Sequence, residues 1–159
     1  MINQFSLKEQ NKKLKSEIIK KIDSVIASSS FILGSNLKKF ENNIARYLGV
    51  KYAIGCNSGT DALVLSLRSR DIGLNDEVIT SPFTYFATAE AISLVGAKPI
   101  FVDIDKSTLC IDVEEVRKKI SPKTKVIIPV HFAGLSAEMP ELIKLAKEKN
   151  IKIVEDAAH

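Results

Sequence analysis

The chain has 159 residues, of which 45% are hydrophobic and 26% are charged, and this composition is typical of a soluble globular protein with one core. The net charge is +4, but the lysines are spread along the chain without an RNP-like aromatic run, so nucleic acid is not an expected partner. No apolar run approaches the ~20 residues of a membrane span. Residues 1–5 lack the basic and then apolar order of a secretory signal. Cys56 and Cys110 do not have C-x-x-C spacing. We therefore expect a cytoplasmic protein without a membrane partner.

The first 50 residues are predicted to form a helical arm. Apolar residues at helical spacing predict one amphipathic helix over about residues 7–28. A second helix follows, with Ser35 or Asn36 as its N-cap and Gly49 as its stop.

From residue 51 onward, short apolar strands alternate with helices. The predicted strands are 52–56, 77–80, 99–103, 125–131 and 151–155. The predicted helices are about 60–70, 84–95, 112–120 and 138–149. Strands that are apolar on both faces, each followed by a helix, predict an α/β fold with a mostly parallel sheet and helices on both faces. Because the last strand ends the chain, we expect Leu142, Leu145 and Ile153 to be incompletely covered.

The segment Asn57–Leu63 follows the first predicted strand and opens a helix. Its free N–H groups at the positive end of the helix are suited to a phosphate. The same residues also read as a capping box, Ser58-x-x-Asp61, with no ligand, and for this segment alone that interpretation is favoured. The segment is neither a P-loop nor G-x-G-x-x-G, so nucleoside triphosphatase and dinucleotide functions gain no support.

Three further groups have both a structural and a functional interpretation. Aromatic residues Phe83, Tyr85 and Phe86 follow the second strand, where one ring can cover a planar ligand, although at least two are expected in the core. The paired acids Asp103 and Asp105 favour a turn over a metal site. His131 ends the fourth strand, and a structural role is favoured for a lone histidine.

Asp156 is the strongest functional signal in the sequence. A carboxylate at the end of a buried strand is costly unless a cation or strong donor meets it. Pyridoxal phosphate needs such a carboxylate, because its pyridine nitrogen must stay protonated for the ring to accept electrons. A segment suited to phosphate follows predicted strand one, an aromatic ring follows strand two, and an acid follows strand five. Together they predict a site for this cofactor.

From Phe31 to His159 the sequence resembles the nucleotide-sugar aminotransferases of the DegT/DnrJ/StrS type, which are fold-type I pyridoxal phosphate enzymes. The resemblance spans only the N-terminal part of a full-length member. It is carried by the following segments: Phe31–Gly34, Phe40–Glu41, Asn57–Leu63, Asp76–Ile79, Thr84–Ala89, Gly96–Asp103, Ile128–His131 and Glu155–His159.

The resemblance implies that Gly59 and Thr60 bind the cofactor phosphate and that Tyr85 stacks on the pyridine ring. It also implies that Asp156 pairs with the ring nitrogen and that His159 lies beside the ring. The implied fold is an aspartate-aminotransferase-like large domain, and the loop at Gly34 resembles one near the nucleotide-sugar. The implied reaction is amino transfer, typically from glutamate, to a keto group of a nucleotide-linked sugar for polysaccharide or natural-product synthesis.

The resemblance places the Schiff-base lysine and the whole C-terminal domain beyond His159. Residues 51–159 are then an incomplete cofactor-binding domain, and we expect no catalytic residue and no catalysis from this chain alone. Lys98, Lys123, Lys125 and Lys152 flank strands and are not assigned that role. Expected partners are the nucleotide-sugar, the amino donor, and a C-terminal fragment or a second copy. The alternatives are a non-catalytic cofactor- or nucleotide-sugar-binding regulatory module, an α/β fragment that binds nothing, and another fold-type I enzyme.

Overall fold

The computed structural model describes residues 6–159, and the chain divides into two compact units between Gly55 and Cys56. The expectation that residues 1–5 carry no secretory signal lies outside the described residues. Among residues 6–159, no helix is long and apolar enough to cross a bilayer.

The first unit contains helix α1, Lys8–Ser28, and helix α2, Ser35–Leu48, close to the predicted bounds. Helix α2 ends as predicted at Gly49, whose φ of 66° is the left-handed conformation that glycine favours. Its N-cap is Gly34, not Ser35 or Asn36. The β-carbon of an alanine at Gly34 would lie 2.7 Å from Ser30 Oγ, so close approach of the α1–α2 connection accounts for this glycine.

The predicted strand at residues 52–56 is wrong. Ile54 is 83% exposed, and no ladder forms in this segment. The N–H of Gly55 instead donates to Glu41 Oε1 of α2 at 2.8 Å. A side chain of α2 thereby satisfies a backbone group that the prediction had assigned to a neighbouring strand.

The second unit is an α/β structure. Its elements in chain order are α3 Gly59–Arg68, β1 Glu77–Thr80, α4 Phe86–Leu94, β2 Lys98–Phe101, α5 Val113–Lys119, β3 Thr124–Ile128, a 3₁₀ turn Phe132–Gly134, α6 Met139–Lys149 and β4 Lys152–Ile153. The four strands form one sheet in the order β2-β1-β3-β4, and every pairing is parallel. The predicted mostly parallel α/β fold is confirmed.

Helices cover both faces of this sheet. Alternate residues of a strand therefore pack in two separate cores. Val78 of β1 packs in one core with Leu67 of α3 and Ile92 of α4. Its neighbour Ile79 packs in the other core with residues of α5 and α6. Leu142 and Leu145 of α6 are fully buried there, so the expectation that they lack cover is wrong. Ile153 is partly buried against the same core.

Candidate functional site

A small pocket lies at the carboxyl edge of the sheet. Parallel strands present the segments that follow them at this same edge, where α/β proteins bind their ligands. The segments after β1, β3 and β4 all contribute. The lining residues are Thr84, Tyr85, Val130, His131, Phe132, Asp156, Ala158 and His159.

Asp156 is fixed by its backbone at this edge. Its N–H donates to the carbonyl of Pro129 at 2.9 Å, and its carbonyl accepts the N–H of His131 at 3.0 Å. These two bonds form a parallel bridge between Asp156 and Val130 beyond the named ends of β3 and β4. The sheet therefore positions the half-buried Asp156 side chain, and the predicted placement of this acid at a strand end is confirmed.

The Asp156 carboxylate accepts two hydrogen bonds within the chain. Oδ2 accepts the hydroxyl of Thr88 at 2.7 Å, and Oδ1 accepts the N–H of Ala158 at 3.3 Å. Thr88 in turn lies 2.8 Å, oxygen to oxygen, from the hydroxyl of Thr84. The sequence analysis did not identify Thr88 as a site residue.

Tyr85 lines the same pocket with its side chain 81% exposed. The expectation that at least two of the three aromatics lie in the core is wrong, because Phe83 and Phe86 are also exposed, at 43% and 71%. Phe83 packs against Phe132, with ring centroids 4.6 Å apart. Tyr85 is the N-cap residue of α4, a position that leaves its ring free to cover a planar ligand.

Gly59 and Thr60 form the first turn of α3 and are not among the pocket residues. Ser58 caps this helix, with its Oγ accepting the N–H of Asp61 at 3.1 Å. No acceptor within residues 6–159 takes the N–H of Gly59 or Thr60. A β-carbon at Gly59 would meet no atom within 4 Å. The turn is thus both a capped helix start and an open position for an anion.

The two histidines of the pocket have different surroundings. Nδ1 of His131 accepts the N–H of Ala137 at 3.2 Å, and its Nε2 lies 2.8 Å from Glu155 Oε2. The N–H donor at Nδ1 requires the tautomer protonated at Nε2, which donates to Glu155. This pattern agrees with a structural His131. His159 Nδ1 accepts the N–H of Ala133 at 3.3 Å, which places the ring in the pocket wall.

The acids after β2 form a turn, as the sequence favoured. Asp105 Oδ1 accepts the N–H of Ser107 and the N–H of Thr108, both at 2.9 Å. The hydroxyl of Ser107, followed by these backbone donors, lowers the pKa of Asp105 below its ordinary value. Within residues 6–159, no group of three or more histidine, cysteine or acidic side chains is arranged to hold a metal ion.

The sequence model of the DegT/DnrJ/EryC1/StrS aminotransferase family matches residues 12–159. The chain belongs to this family. The match includes the sheet and every residue of the pocket at its carboxyl edge. The resemblance noted from the sequence is therefore confirmed.

Two relatives illustrate the range of names within the family. The chain is 47% identical to the Pleiotropic regulatory protein of Geobacillus stearothermophilus, over 97% of this chain and 41% of that protein. It is 44% identical to the UDP-N-acetyl-3-dehydro-alpha-D-glucosamine 3-aminotransferase of Acidithiobacillus ferrooxidans, over 91% of this chain and 39% of that protein. The chain thus spans about two fifths of the length of these relatives.

The fold is also that of solved aminotransferase-family structures. The crystal structure of NtdA from Bacillus subtilis with bound cofactor PMP matches with a TM-score of 0.89 and 34% identity. The match covers 91% of this chain and 33% of that one. PMP is the amino form of pyridoxal phosphate, so the family fold is one that holds this cofactor.

The residues at the carboxyl edge fit a pyridoxal phosphate group chemically. Asp156 supplies a half-buried carboxylate and Tyr85 an exposed ring at this edge. The first turn of α3, which is not part of the pocket lining, has free N–H groups and open space at Gly59. The Asp156 carboxylate has acceptor positions beyond the two that Thr88 and Ala158 fill. A protonated ring nitrogen is the kind of donor that such a carboxylate needs.

Proposed function

We propose that this chain forms part of the pyridoxal phosphate site of an aminotransferase acting on a keto group of a nucleotide-linked sugar. In this proposal residues 51–159 are the cofactor-binding α/β region and residues 1–50 are a helical arm. The observation that carries it is the Asp156 carboxylate, fixed at the carboxyl edge of the sheet in the same pocket as the exposed Tyr85 ring. Family membership supports the same chemistry.

Each proposed site residue has a separate physical task. Pyridoxal phosphate supplies an electron sink when its ring nitrogen carries a proton. Asp156 would hold that proton by a charge-assisted hydrogen bond, which is stronger than a neutral one. Tyr85 would cover one ring face and exclude water from it. The N–H groups of Gly59 and Thr60 would bind the phosphate at the N-terminus of α3, and His159 would bound the ring at the pocket wall.

The substrate proposal is supported by what the relatives are named for. The Acidithiobacillus relative is named as an aminotransferase for a UDP-linked 3-dehydro sugar. We therefore propose that the keto group is at C3 of a UDP-linked sugar, and we propose glutamate as the amino donor. Because the chain spans about two fifths of that relative, we expect no turnover from these 159 residues alone.

Cofactor binding tests the proposal at the level of this chain. PMP lacks the aldehyde of pyridoxal phosphate and does not react with lysines, so its fluorescence titration reports noncovalent binding. We expect wild type to bind PMP and Tyr85→Ala to bind it at least about fivefold more weakly, through loss of aromatic stacking. Tyr47→Ala is the matched control, because Tyr47 of α2 is 85% exposed and lies outside the pocket.

Two outcomes of this titration would contradict the proposal. No binding of PMP would favour the alternative in which the chain is an α/β fragment without a ligand. Binding that Tyr85→Ala and Tyr47→Ala weaken equally would place the ligand away from the proposed pocket.

Turnover is tested by completing the protein. The part of the Acidithiobacillus relative that the chain does not match is joined in cis or supplied in trans. With pyridoxal phosphate, glutamate and a UDP-linked 3-keto sugar, mass analysis should then detect the amino sugar. Absence of product from a completed protein that binds PMP would contradict the proposed reaction.

A non-catalytic regulatory module is the second candidate, and the name of the Geobacillus relative favours it. This candidate predicts that the completed protein binds PMP or the nucleotide-sugar without forming product. The turnover assay therefore separates the two candidates, since both predict ligand binding.

We further propose that the chain associates with a second copy or with a C-terminal fragment. In the first unit, α1 buries none of its residues, and its Leu14, Ile18 and Ile22 are 42–52% exposed. In the second unit, β2 and β4 are the outer strands of the described sheet. Exposed apolar faces and strand edges favour association. A compact monomer at high concentration in light scattering would contradict self-association.

A further inference from the structure

Two threonine hydroxyls connect the start of α4 to Asp156. Thr88 lies in the first turn of the helix, and its side chain is fully buried. Its Oγ1 lies 2.7 Å from Asp156 Oδ2, across a sequence separation of 68 residues. Thr84 precedes the helix, lines the pocket, and has its Oγ1 2.8 Å from that of Thr88.

The chemistry of the groups fixes the direction of these two hydrogen bonds. An ionised carboxylate only accepts, so the single proton of the Thr88 hydroxyl goes to Asp156. The bond between the two threonines therefore has Thr84 as its donor. The result is a chain of two hydrogen bonds, in which Thr84 donates to Thr88 and Thr88 donates to Asp156.

The hydroxyl of Thr88 does not use a hydrogen-bond acceptor in its own helix. Threonine in a helix commonly satisfies its hydroxyl with a backbone carbonyl three or four residues earlier. Here the hydroxyl donates to a carboxylate from another strand. Because the hydroxyl has only one proton, Thr88 gives up the bond to the backbone carbonyl when it donates to Asp156. The bond to Asp156 restricts the orientation of the carboxylate.

We propose that Thr84 and Thr88 are positioning residues that hold Asp156 with its unfilled acceptor positions directed into the pocket. Thr88 and Ala158 occupy one position on each carboxylate oxygen. An ionised carboxylate has about four such positions, so about two remain for a donor on the ligand. The inference rests on the proposed function for the identity of that ligand, a protonated ring nitrogen.

The hydroxyl of Thr88 can be removed with little change of shape. Thr88→Val replaces it with a methyl group, and Thr88→Ser keeps it. Loss of a hydrogen bond to a charged group should weaken PMP binding by about tenfold in Thr88→Val. Thr88→Ser should bind PMP as wild type does. Thr84→Val should weaken binding only about twofold, because Thr88 still donates to Asp156.

A double-mutant cycle tests whether Thr88 acts through Asp156. In the Asp156→Asn background, adding Thr88→Val should change PMP binding by less than about twofold. Wild-type affinity in Thr88→Val would overturn the inference. A tenfold loss of PMP affinity on adding Thr88→Val to both wild type and Asp156→Asn would also overturn it. So would weakened PMP binding by Thr88→Ser.

Thermal unfolding of the ligand-free proteins separates this inference from the proposed function. If wild type does not bind PMP, the proposed function fails, and the same cycle is then read from melting temperatures. Non-additive shifts for Thr88→Val and Asp156→Asn would support the coupling that the inference requires. Additive shifts would overturn it.

Discussion

Val130 and Asp156 form a parallel bridge that extends the β3–β4 pairing beyond the two strands. Both hydrogen bonds of the bridge use the backbone of Asp156, with the carbonyl of Pro129 and the N–H of His131 as partners. A side chain that a sheet holds in this way keeps its position without a ligand. The pocket at this edge is therefore pre-organised on one side, which reduces the cost of ordering on binding.

Gly59→Ala should weaken PMP binding while leaving the fold intact. A β-carbon there meets no atom of residues 6–159 within 4 Å, and alanine is the better helix former. The free energy of unfolding should stay the same or rise by up to about 1 kcal/mol. If the phosphate lies at this turn, the added methyl group should displace it from the backbone N–H groups. PMP binding should then weaken roughly tenfold.

Two controls accompany this variant. Gly73→Ala should bind PMP as wild type does, because its β-carbon makes only an ordinary contact of 3.6 Å with the carbonyl of Val95. Pyridoxamine, which lacks the phosphate, should bind wild type and Gly59→Ala equally. Unchanged PMP affinity in Gly59→Ala would place the phosphate elsewhere.

Asp105 should contribute to stability at neutral pH but not in strong acid. The Ser107 hydroxyl and the backbone donors of Ser107 and Thr108 lower its pKa in the folded state. A lowered folded pKa gives stability that is present above the ordinary value of 3.8 and is lost as the pH falls through the folded value. Asp105→Asn should therefore melt slightly below wild type at neutral pH, and this difference should disappear as the pH falls through the folded pKa of Asp105. A gap that widens in acid would contradict this sign.

Pyridoxal phosphate should not label one specific lysine of this chain. Lys98, Lys123, Lys125 and Lys152 lie at or next to the amino ends of β2, β3 and β4, the edge opposite the pocket. Borohydride reduction and peptide mass analysis should therefore find low labelling spread over exposed lysines. One equivalent of cofactor on a single lysine would show that this chain supplies the nucleophile.

The strands of the sheet were predictable because each lies in a short apolar segment, and helices alternate with these segments along the chain. The same reasoning failed at residues 52–56, where the pattern is equally apolar. Whether such a run pairs in a sheet depends on a neighbouring strand, and in the structure Glu41 takes the N–H of Gly55 instead. Local patterns carry no information about that competition.

The site shows a similar division. Asp156 was predictable because the sequence pattern indicates an acid at the carboxyl end of an apolar strand, where a carboxylate needs a partner. Thr88 was not, because a helical threonine has a local acceptor and its sequence offers no sign that it donates elsewhere. The exposure of Phe83, Tyr85 and Phe86 was also missed, since an aromatic residue between a strand and a helix ordinarily packs in the core.

The most direct test of the account is PMP binding by Asp156→Asn. An amide cannot stabilise a protonated ring nitrogen, so the loss of this charge-assisted contact should weaken binding by at least about tenfold. Asp71→Asn is the matched control, because Asp71 is exposed, lies outside the pocket, and has a φ of 56° that asparagine tolerates. The account predicts weak binding by Asp156→Asn and wild-type binding by Asp71→Asn. Equal, wild-type affinity in both folded variants would contradict the pairing of Asp156 with the cofactor nitrogen.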